Sequence, residues 1–176
     1  MKTIVALAVA FLPVIAAAQV PSTPSLGVAE GRCRAGEPGS AFEIAAVGLK
    51  DRNGTLKVEL DPANDEDFLA DDNKLIAAGK PFRRVVIDVP KAGPVQLCIR
   101  APGAGSWALA LLHDRDNNRK FSLFSDGVGF PGNPKRLTRS KPPLAFGRAV
   151  AEAGSTPIEV RLLYLSGFGF SPLTQR

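Results

Sequence analysis

The sequence predicts an all-β protein, an antiparallel sandwich of seven strands that follows a cleaved signal peptide. Short segments in which apolar and polar residues alternate recur along the chain, with turn residues between them. No stretch of roughly 10–15 residues with helical period separates these segments, which disfavours a parallel α/β sheet. The chain also opens with an apolar segment typical of exported proteins.

Residues 1–18 have the composition of a signal peptide. Lys2 supplies the positive start, residues 4–15 are apolar and uncharged, and residues 16–18 are three alanines that suit a signal peptidase. A membrane-spanning helix needs roughly 20 apolar residues, more than this run offers. We therefore expect cleavage before Gln19, a mature chain without a transmembrane span, and a periplasmic or secreted location.

The mature chain is predicted to contain a flexible leader, residues 19–40, and one β-sandwich domain, residues 41–176. The leader is rich in glycine and proline and shows no sustained period. Cys33 and Cys98 are the only cysteines, and an even count in an exported protein predicts that they form a disulfide. Two free buried thiols are the alternative, and the absence of a Cys-x-x-Cys motif argues against catalytic redox chemistry.

Seven strands are predicted in chain order. The first is an apolar run followed by Asn53-Gly54, a dipeptide that favours a tight hairpin turn into the second strand. The later strands are identified by their period of two, although the sixth is weaker than the others. The predicted segments are 41–49, 55–60, 82–89, 95–100, 107–113, 145–151 and 158–164.

The strand 107–113 differs from the others because both of its faces are apolar. Larger side chains such as Leu109 and Leu111 lie on one face, whereas Ala108 and Ala110 lie on the other. We expect this strand to be central and covered on both sides.

Two connections are longer than is usual in a compact domain. Segment 61–80 is acidic, and segment 122–141 is rich in glycine and proline and ends basic. Connections of this length are uncommon and often carry function. The basic part of the second lacks interleaved aromatic residues, so a nucleic-acid partner is not expected.

The stretch after strand 107–113 contains the candidate site residues His113, Asp114, Asp116 and Asn118. The last three alternate as the ligands at positions 1, 3 and 5 of a calcium loop do. However, Arg119 replaces the turn glycine of such a loop, no glutamate closes it, and basic residues outnumber acidic ones between positions 114 and 122. We expect a structural turn in which Asp and Asn side chains bond the local backbone, with no metal and no cofactor. A weak calcium site is the alternative.

His113 is the only histidine in the chain. It cannot build a zinc site with two cysteines that pair with each other. As a general base it would need an activated nucleophile, and no Gly-x-Ser-x-Gly elbow is present. We expect a structural role for it at the end of the strand.

Four features in order resemble a known family of exported bacterial proteins. They are the segment Val47-Gly48-Leu49 through Asn53-Gly54, the strand Trp107 to Leu112 running into His113-Asp114, the Asn-rich turn ending Lys120-Phe121 with Gly129-Phe130-Pro131 after it, and Pro142-Pro143 with Phe146 and Ala149. Over roughly residues 41–165 the chain thus resembles the family catalogued as domain of unknown function 2141.

The resemblance implies an exported immunoglobulin-like or transthyretin-like sandwich and no particular activity. The turn departs from the family pattern, since Arg119 stands at the family's glycine and Phe121-Ser122 at its Leu-Asp pair.

Two classes of function follow from these features. The first is a non-catalytic, envelope-associated module whose long loops bind a protein, glycan or lipid partner. The second is a calcium-dependent or hydrolytic enzyme that uses His113, Asp114 and Asp116. The first needs only a stable scaffold with loops, whereas the second needs a base, a nucleophile and charge stabilisation in one place. The sequence favours the non-catalytic module.

Overall fold

The computed structural model describes residues 27–174, and the predicted signal peptide with its cleavage site before Gln19 lies outside them. Strands dominate the described chain, with two short helices between them. In chain order the elements are β1 (Ser40–Val47), β2 (Thr55–Pro62), α1 (Asp72–Ala77), β3 (Arg83–Asp88), β4 (Gln96–Arg100), β5 (Gly105–Asp114), β6 (Gly127–Gly129), α2 (Leu144–Gly147), β7 (Arg148–Ala151), β8 (Gly154–Ser166) and β9 (Gly169–Pro172).

The all-β prediction is confirmed, and each of the seven predicted segments contains or overlaps a strand. The predicted segment 145–151 begins in α2 and becomes a strand only at Arg148. The structure adds β6, with three residues, and β9, with four. Strands this short do not show a period of two in the sequence.

The prediction of a purely antiparallel, seven-stranded sandwich is wrong, because the nine strands form a mixed sheet. Its order is β3-β2-β5-β6-β8-β1-β4, with β7 beside β5 and β9 beside β8. β1 and β8 run parallel, with Ser40 opposite Gly154 and Val47 opposite Arg161. The thirteen residues of β8 pair first with β1 and then with β6 and β9. One long strand thus joins the two halves into a nearly closed, barrel-like sheet, which is not clearly the immunoglobulin-like or transthyretin-like sandwich.

The predicted hairpin at Asn53-Gly54 is also wrong, since β1 and β2 are not neighbours in the sheet. Gly54 does adopt a positive φ of 72°. A Cβ atom there would lie 1.9 Å from the carbonyl oxygen of Asp114. Glycine is therefore required because the chain crosses the end of β5 at close range, rather than because it turns into a paired strand.

Residues of the predicted leader lie between the two end strands of the sheet, β3 and β4. The backbone N–H of Ala29 donates to Arg84 O (2.9 Å), the N–H of Arg84 donates to Gly27 O (2.8 Å), and the N–H of Arg100 donates to Glu30 O (3.3 Å). Cys33 is joined to Cys98 on β4 by a disulfide, with the Cα atoms 5.6 Å apart. This segment covers two strand edges that would otherwise offer unpaired backbone groups.

The sheet encloses one apolar core and packs a second against its outer face. Residues such as Phe42, Leu60, Leu109 and Leu162 fill the interior. The outer core contains Phe68, Ala108, Phe130, Leu137, Leu144, Leu163 and Phe170. The prediction that strand 107–113 is covered on both sides is confirmed, because β5 contributes to both cores.

Within residues 27–174, no helix has the length and apolar character needed to cross a bilayer.

Candidate functional site

His113 is fully buried at the end of β5, and both of its ring nitrogens have partners. Nε2 lies 2.8 Å from the carbonyl oxygen of Asn53, and Nδ1 lies 2.6 Å from the hydroxyl of Tyr164. Because a carbonyl only accepts, we assign the proton to Nε2, so that the Tyr164 hydroxyl donates to Nδ1. The Tyr164 hydroxyl also accepts the N–H of Lys50, at 2.9 Å.

Burial determines the protonation of this pair. It lowers the pKa of His113, which keeps the ring neutral, and it raises the pKa of Tyr164 to about 12. Gly127 of β6 packs on the Tyr164 ring, where a Cβ atom would lie 2.5 Å from the nearest ring carbon. The ring nitrogens connect β5, β8 and the chain before β2, and neither of them points to an open surface. This arrangement supports a structural role for His113.

The predicted turn residues Asp114, Asp116 and Asn118 lie together directly after β5. The two carboxylate oxygens of Asp114 accept the N–H groups of Asn118 (3.2 Å) and Arg119 (2.8 Å). Asp116 accepts the N–H and the side-chain amide of Asn118, at 3.2 and 3.0 Å. Arg119 has a φ of 66°, a conformation that favours glycine. Most of these contacts are local bonds from side chains to the backbone of the same turn, and one joins two side chains.

Asp126 is a further member of this site. It is buried, and its carboxylate accepts the N–H groups of Arg115 (3.0 Å) and Ser122 (2.8 Å), which closes the loop 115–125 onto the start of β6. Oxygen atoms of Asp114, Asp116 and Asp126 lie within 4.8 Å of one another, so this trio could hold a metal ion. A signal was available, since Asp126 lies one position past the closing residue of a calcium loop.

Charge in the trio is only partly compensated. Burial raises the pKa of Asp114, and the nearby carboxylates of Asp116 and Asp126 raise it further. The backbone N–H groups that donate to Asp114 oppose this shift without cancelling it. Arg115, counted in the sequence among the cations opposing an ion, instead forms an ion pair with Asp51. The guanidinium hydrogen bond holds the pKa of Asp51 below its usual value.

We expect that calcium does not stabilise the folded protein. The carboxylates of the trio already accept backbone N–H groups, whereas calcium needs six to eight oxygen ligands at close range. Thermal unfolding should show the same midpoint with and without several millimolar calcium. An ion at a hundred times its dissociation constant would add about 2.7 kcal/mol. A rise of several degrees that Asp114→Ala abolishes would contradict the structural interpretation.

The turn also forms one wall of a cleft on the outer face of the sheet. The cleft has a volume of about 400 Å³. Its floor is the outward face of β2, β5 and β6, where Lys57 lies opposite Leu112, Glu59 opposite Ala110, and Leu112 opposite Val128. Ala110 is the small residue of this floor, and the space above it contributes to the cleft.

The walls of the cleft come from the two long connections and from β9. Segment 122–141 and the turn before it contribute Phe121, Leu123 and Leu137, β9 contributes Phe170, and segment 61–80 contributes Leu69. The ring centroids of Phe121 and Phe170 are 5.9 Å apart, so the turn packs on β9. Phe121 is nevertheless 49% exposed, which is a large apolar surface left in water beside the opening.

Leu69 is held in the cleft wall by a buried carboxylate. Its backbone N–H donates to Asp61 at 2.9 Å, and its φ is 55°, which is uncommon for a leucine. Burial raises the pKa of Asp61 to about 7, with further contributions from the carboxylates of Glu59 and Asp67.

A larger depression of about 740 Å³ lies elsewhere, on the outer face of β1 and β4 beside the disulfide. Its lining includes the charged residues Arg32, Arg34, Glu43 and Glu159 and contains no aromatic side chain. The smaller cleft has the chemistry typical of ligand pockets, with apolar and aromatic walls and a few polar groups.

Comparison with known proteins agrees with the resemblance seen in the sequence. No curated protein and no solved structure shows a significant match to the chain. The family model described as "Uncharacterized protein conserved in bacteria (DUF2141)" matches residues 44–160, which include β2 to β7, the turn and most of the residues that line the cleft. The chain therefore belongs to this family of uncharacterised bacterial proteins.

Proposed function

We propose that the protein is an exported, non-catalytic binding module that takes up an apolar or amphipathic ligand in the cleft between its long connections. The observation that carries this proposal is the cleft itself, which combines a volume of about 400 Å³ with the apolar walls formed by Phe121, Leu123, Leu137 and Phe170. Pockets of roughly 300–1,000 Å³ with such walls are typical small-molecule sites.

Export is supported by two features, the apolar segment at 1–18 and the Cys33–Cys98 disulfide, which is compatible with an oxidising compartment. In the periplasm or outside the cell, the ligands available to such a cleft include lipids and their breakdown products. The long connections that were expected to carry a binding surface supply most of its walls.

The non-catalytic part of the proposal rests on which groups line the cleft. Glu59 is the one carboxylate among the lining residues, and its oxygen is shared by Lys57 Nζ (3.1 Å) and an Arg84 nitrogen (2.6 Å). No histidine, cysteine or aspartate is among the described lining residues. The alternative enzyme, based on His113, Asp114 and Asp116, has less support because the histidine nitrogens are both bonded inside the fold.

The proposal predicts that a neutral apolar fluorophore binds to the folded protein and that filling the cleft abolishes this binding. N-phenylnaphthylamine is a suitable probe because its fluorescence rises in apolar surroundings. Ala110→Phe places a ring on the floor of the cleft, and we expect about a tenfold or greater loss of affinity, equivalent to about 1.4 kcal/mol or more.

Val150→Phe is the matched control. Val150 lies on β7, is 60% exposed and does not line the cleft, so the same kind of enlargement there should leave probe binding unchanged. Leu123→Asn is a second test variant that alters a wall without adding volume, in case Ala110→Phe does not fold. Unchanged probe affinity in folded variants of both kinds would contradict the proposal.

A further inference from the structure

We infer that the ligand of this cleft is an anionic amphiphile, a single alkyl chain whose carboxylate or phosphate head group is bound by Arg139 and Lys141. This inference rests on the proposed function, and it adds the chemical class of the ligand and the residues that select it. The structural basis is that apolar walls and two cations that form no ion pair within residues 27–174 meet at one cleft.

The alkyl chain is accommodated by the interior of the cleft. Ala110, Leu112 and Val128 supply the floor, and Phe121 and Phe170 supply aromatic walls. A volume of about 400 Å³ lies near the lower end of the usual range for ligand pockets, which suits one chain rather than two. Removal of its apolar surface from water favours binding, so the alkyl chain adds to the affinity provided by the head group.

The head group is selected by the charges at the opening. Arg139 and Lys141 both line the cleft and are exposed, and they lie two residues apart at the basic end of segment 122–141. Within residues 27–174, Arg139 donates to the carbonyl oxygen of Gly167 at 3.2 Å. Lys141 donates to the carbonyl oxygen of Asp65 at 2.7 Å, and its ammonium lies 5.9 Å from the centroid of the Phe68 ring. Neither side chain has an ion pair in that part of the chain.

The one acidic lining residue does not cancel this charge. Glu59 lies on the floor, where Lys57 and Arg84 both contact its carboxylate. Arg84 also pairs with Asp72, at 2.6 Å, so these four groups form a compensated chain of alternating charge. Among the lining residues the net excess of charge is therefore positive and is located at the opening, which favours a ligand with an apolar body and a negative end.

The test measures the affinity of soluble ten-carbon amphiphiles for the full mature chain by calorimetry, below the concentrations at which they form micelles. Decanoate and decyl phosphate are the anionic probes, decyltrimethylammonium is the cationic probe and decyl maltoside the neutral one. We expect both anions, or one of them, to bind about tenfold or more tightly than the cation. The comparison of decanoate with decyl phosphate identifies which head group is preferred.

The variant Arg139→Gln with Lys141→Gln should weaken binding of the preferred anion by about tenfold or more, because each exposed ion pair contributes up to about a fivefold effect. Its circular dichroism spectrum should match that of the wild-type protein, which shows that the variant is folded. The matched control is Lys135→Gln with Arg136→Gln, which removes the same charge from exposed residues of the same segment that do not line the cleft. This control should retain anion affinity.

The outcomes separate the two proposals. Equal affinity for anionic and cationic amphiphiles, with probe binding that Ala110→Phe still abolishes, would overturn the head-group assignment and leave the binding function standing. Equal losses in the two double variants would also overturn it, because net charge alone would then explain the preference. Binding to anionic lipid vesicles without binding of any soluble amphiphile would overturn it in favour of a membrane-surface contact. Absence of cleft-dependent binding of the neutral probe would contradict the proposed function itself.

Discussion

Replacing both cysteines, Cys33→Ser with Cys98→Ser, is expected to lower the free energy of unfolding by about 4 kcal/mol. The bond closes a loop of 65 residues, and in the chain-entropy account a loop of that length restricts the unfolded chain strongly. Urea denaturation at pH 7 measures the loss. It should equal the loss caused in the wild-type protein by a reductant, whereas a loss below about 1 kcal/mol would show that the bond adds little.

The disulfide also has a structural consequence beyond its effect on the unfolded state. Cys33 ends the segment that bridges β3 and β4 through Gly27, Ala29 and Glu30. Without the bond, this segment is tied to the sheet by backbone hydrogen bonds and by the packing of Ala29 on the core. The two strand edges then become more available for pairing with other chains. The double variant should therefore show more concentration-dependent association than the wild-type protein, as light scattering would detect.

Replacing the buried carboxyl group of Asp61, by Asp61→Asn, is expected to stabilise the protein at pH 8 and to have almost no effect at pH 4. Burial raises the pKa of Asp61 from 3.8 to about 7. Between these two values the folded state binds a proton that the unfolded state has lost, so the free energy of unfolding falls as pH rises. The total loss is on the order of 4 kcal/mol, and an asparagine, which can still accept the Leu69 N–H, does not titrate.

Chemical denaturation of both proteins at pH 4, 6 and 8 tests this expectation, and the difference between them isolates Asp61. His113 affects the free energy of unfolding of the wild type and the variant equally. Its pKa is lowered in the folded state, so its stabilising contribution is complete above pH 6.5 and is lost as pH falls. Asp67→Asn is a control for which the opposite pH dependence is expected. The ammonium group of Lys80 lowers the pKa of Asp67, so the Asp67 carboxylate stabilises the folded protein above about pH 4, and the variant loses this stabilisation. A constant difference between Asp61→Asn and the wild type at all pH values would contradict the account.

Local features of the fold were predictable from the sequence, whereas long-range pairing was not. The period of two in residues 55–60 and the doubly apolar strand around Leu109 correctly identified β2 and the central β5. The parallel pairing of β1 with β8 joins residues more than a hundred positions apart, and no local pattern encodes it. Asn53-Gly54 correctly predicted a left-handed backbone conformation at Gly54. However, a glycine in that conformation is needed where two chain segments cross closely as well as in a hairpin turn.

The candidate site was predictable to a similar extent. The turn residues Asp114, Asp116 and Asn118 stood out because they alternate after a strand, and their bonds to the local backbone agree with the expected turn. Asp126 stands one place late for the closing acid of a calcium loop, so the sequence pattern did not assign it to the site; the closing of loop 115–125 brings it there. The cleft escaped notice because its lining comes from β2, β5, β6, β9 and both long connections. The local sign of it was that small residues, Ala108 and Ala110, occupy the outward face of β5.

The location of a bound ligand on the folded protein distinguishes the cleft from every other surface. Amide resonances of ¹⁵N-labelled protein, followed by NMR during titration with decanoate, report this location. Binding in the cleft should produce shifts confined to its lining, in β5 near Ala110, in the turn at Phe121 and Leu123, and in the segment from Leu137 to Lys141. Shifts confined instead to the depression beside Cys33 and Cys98, or an absence of shifts in a protein that remains folded, would contradict it.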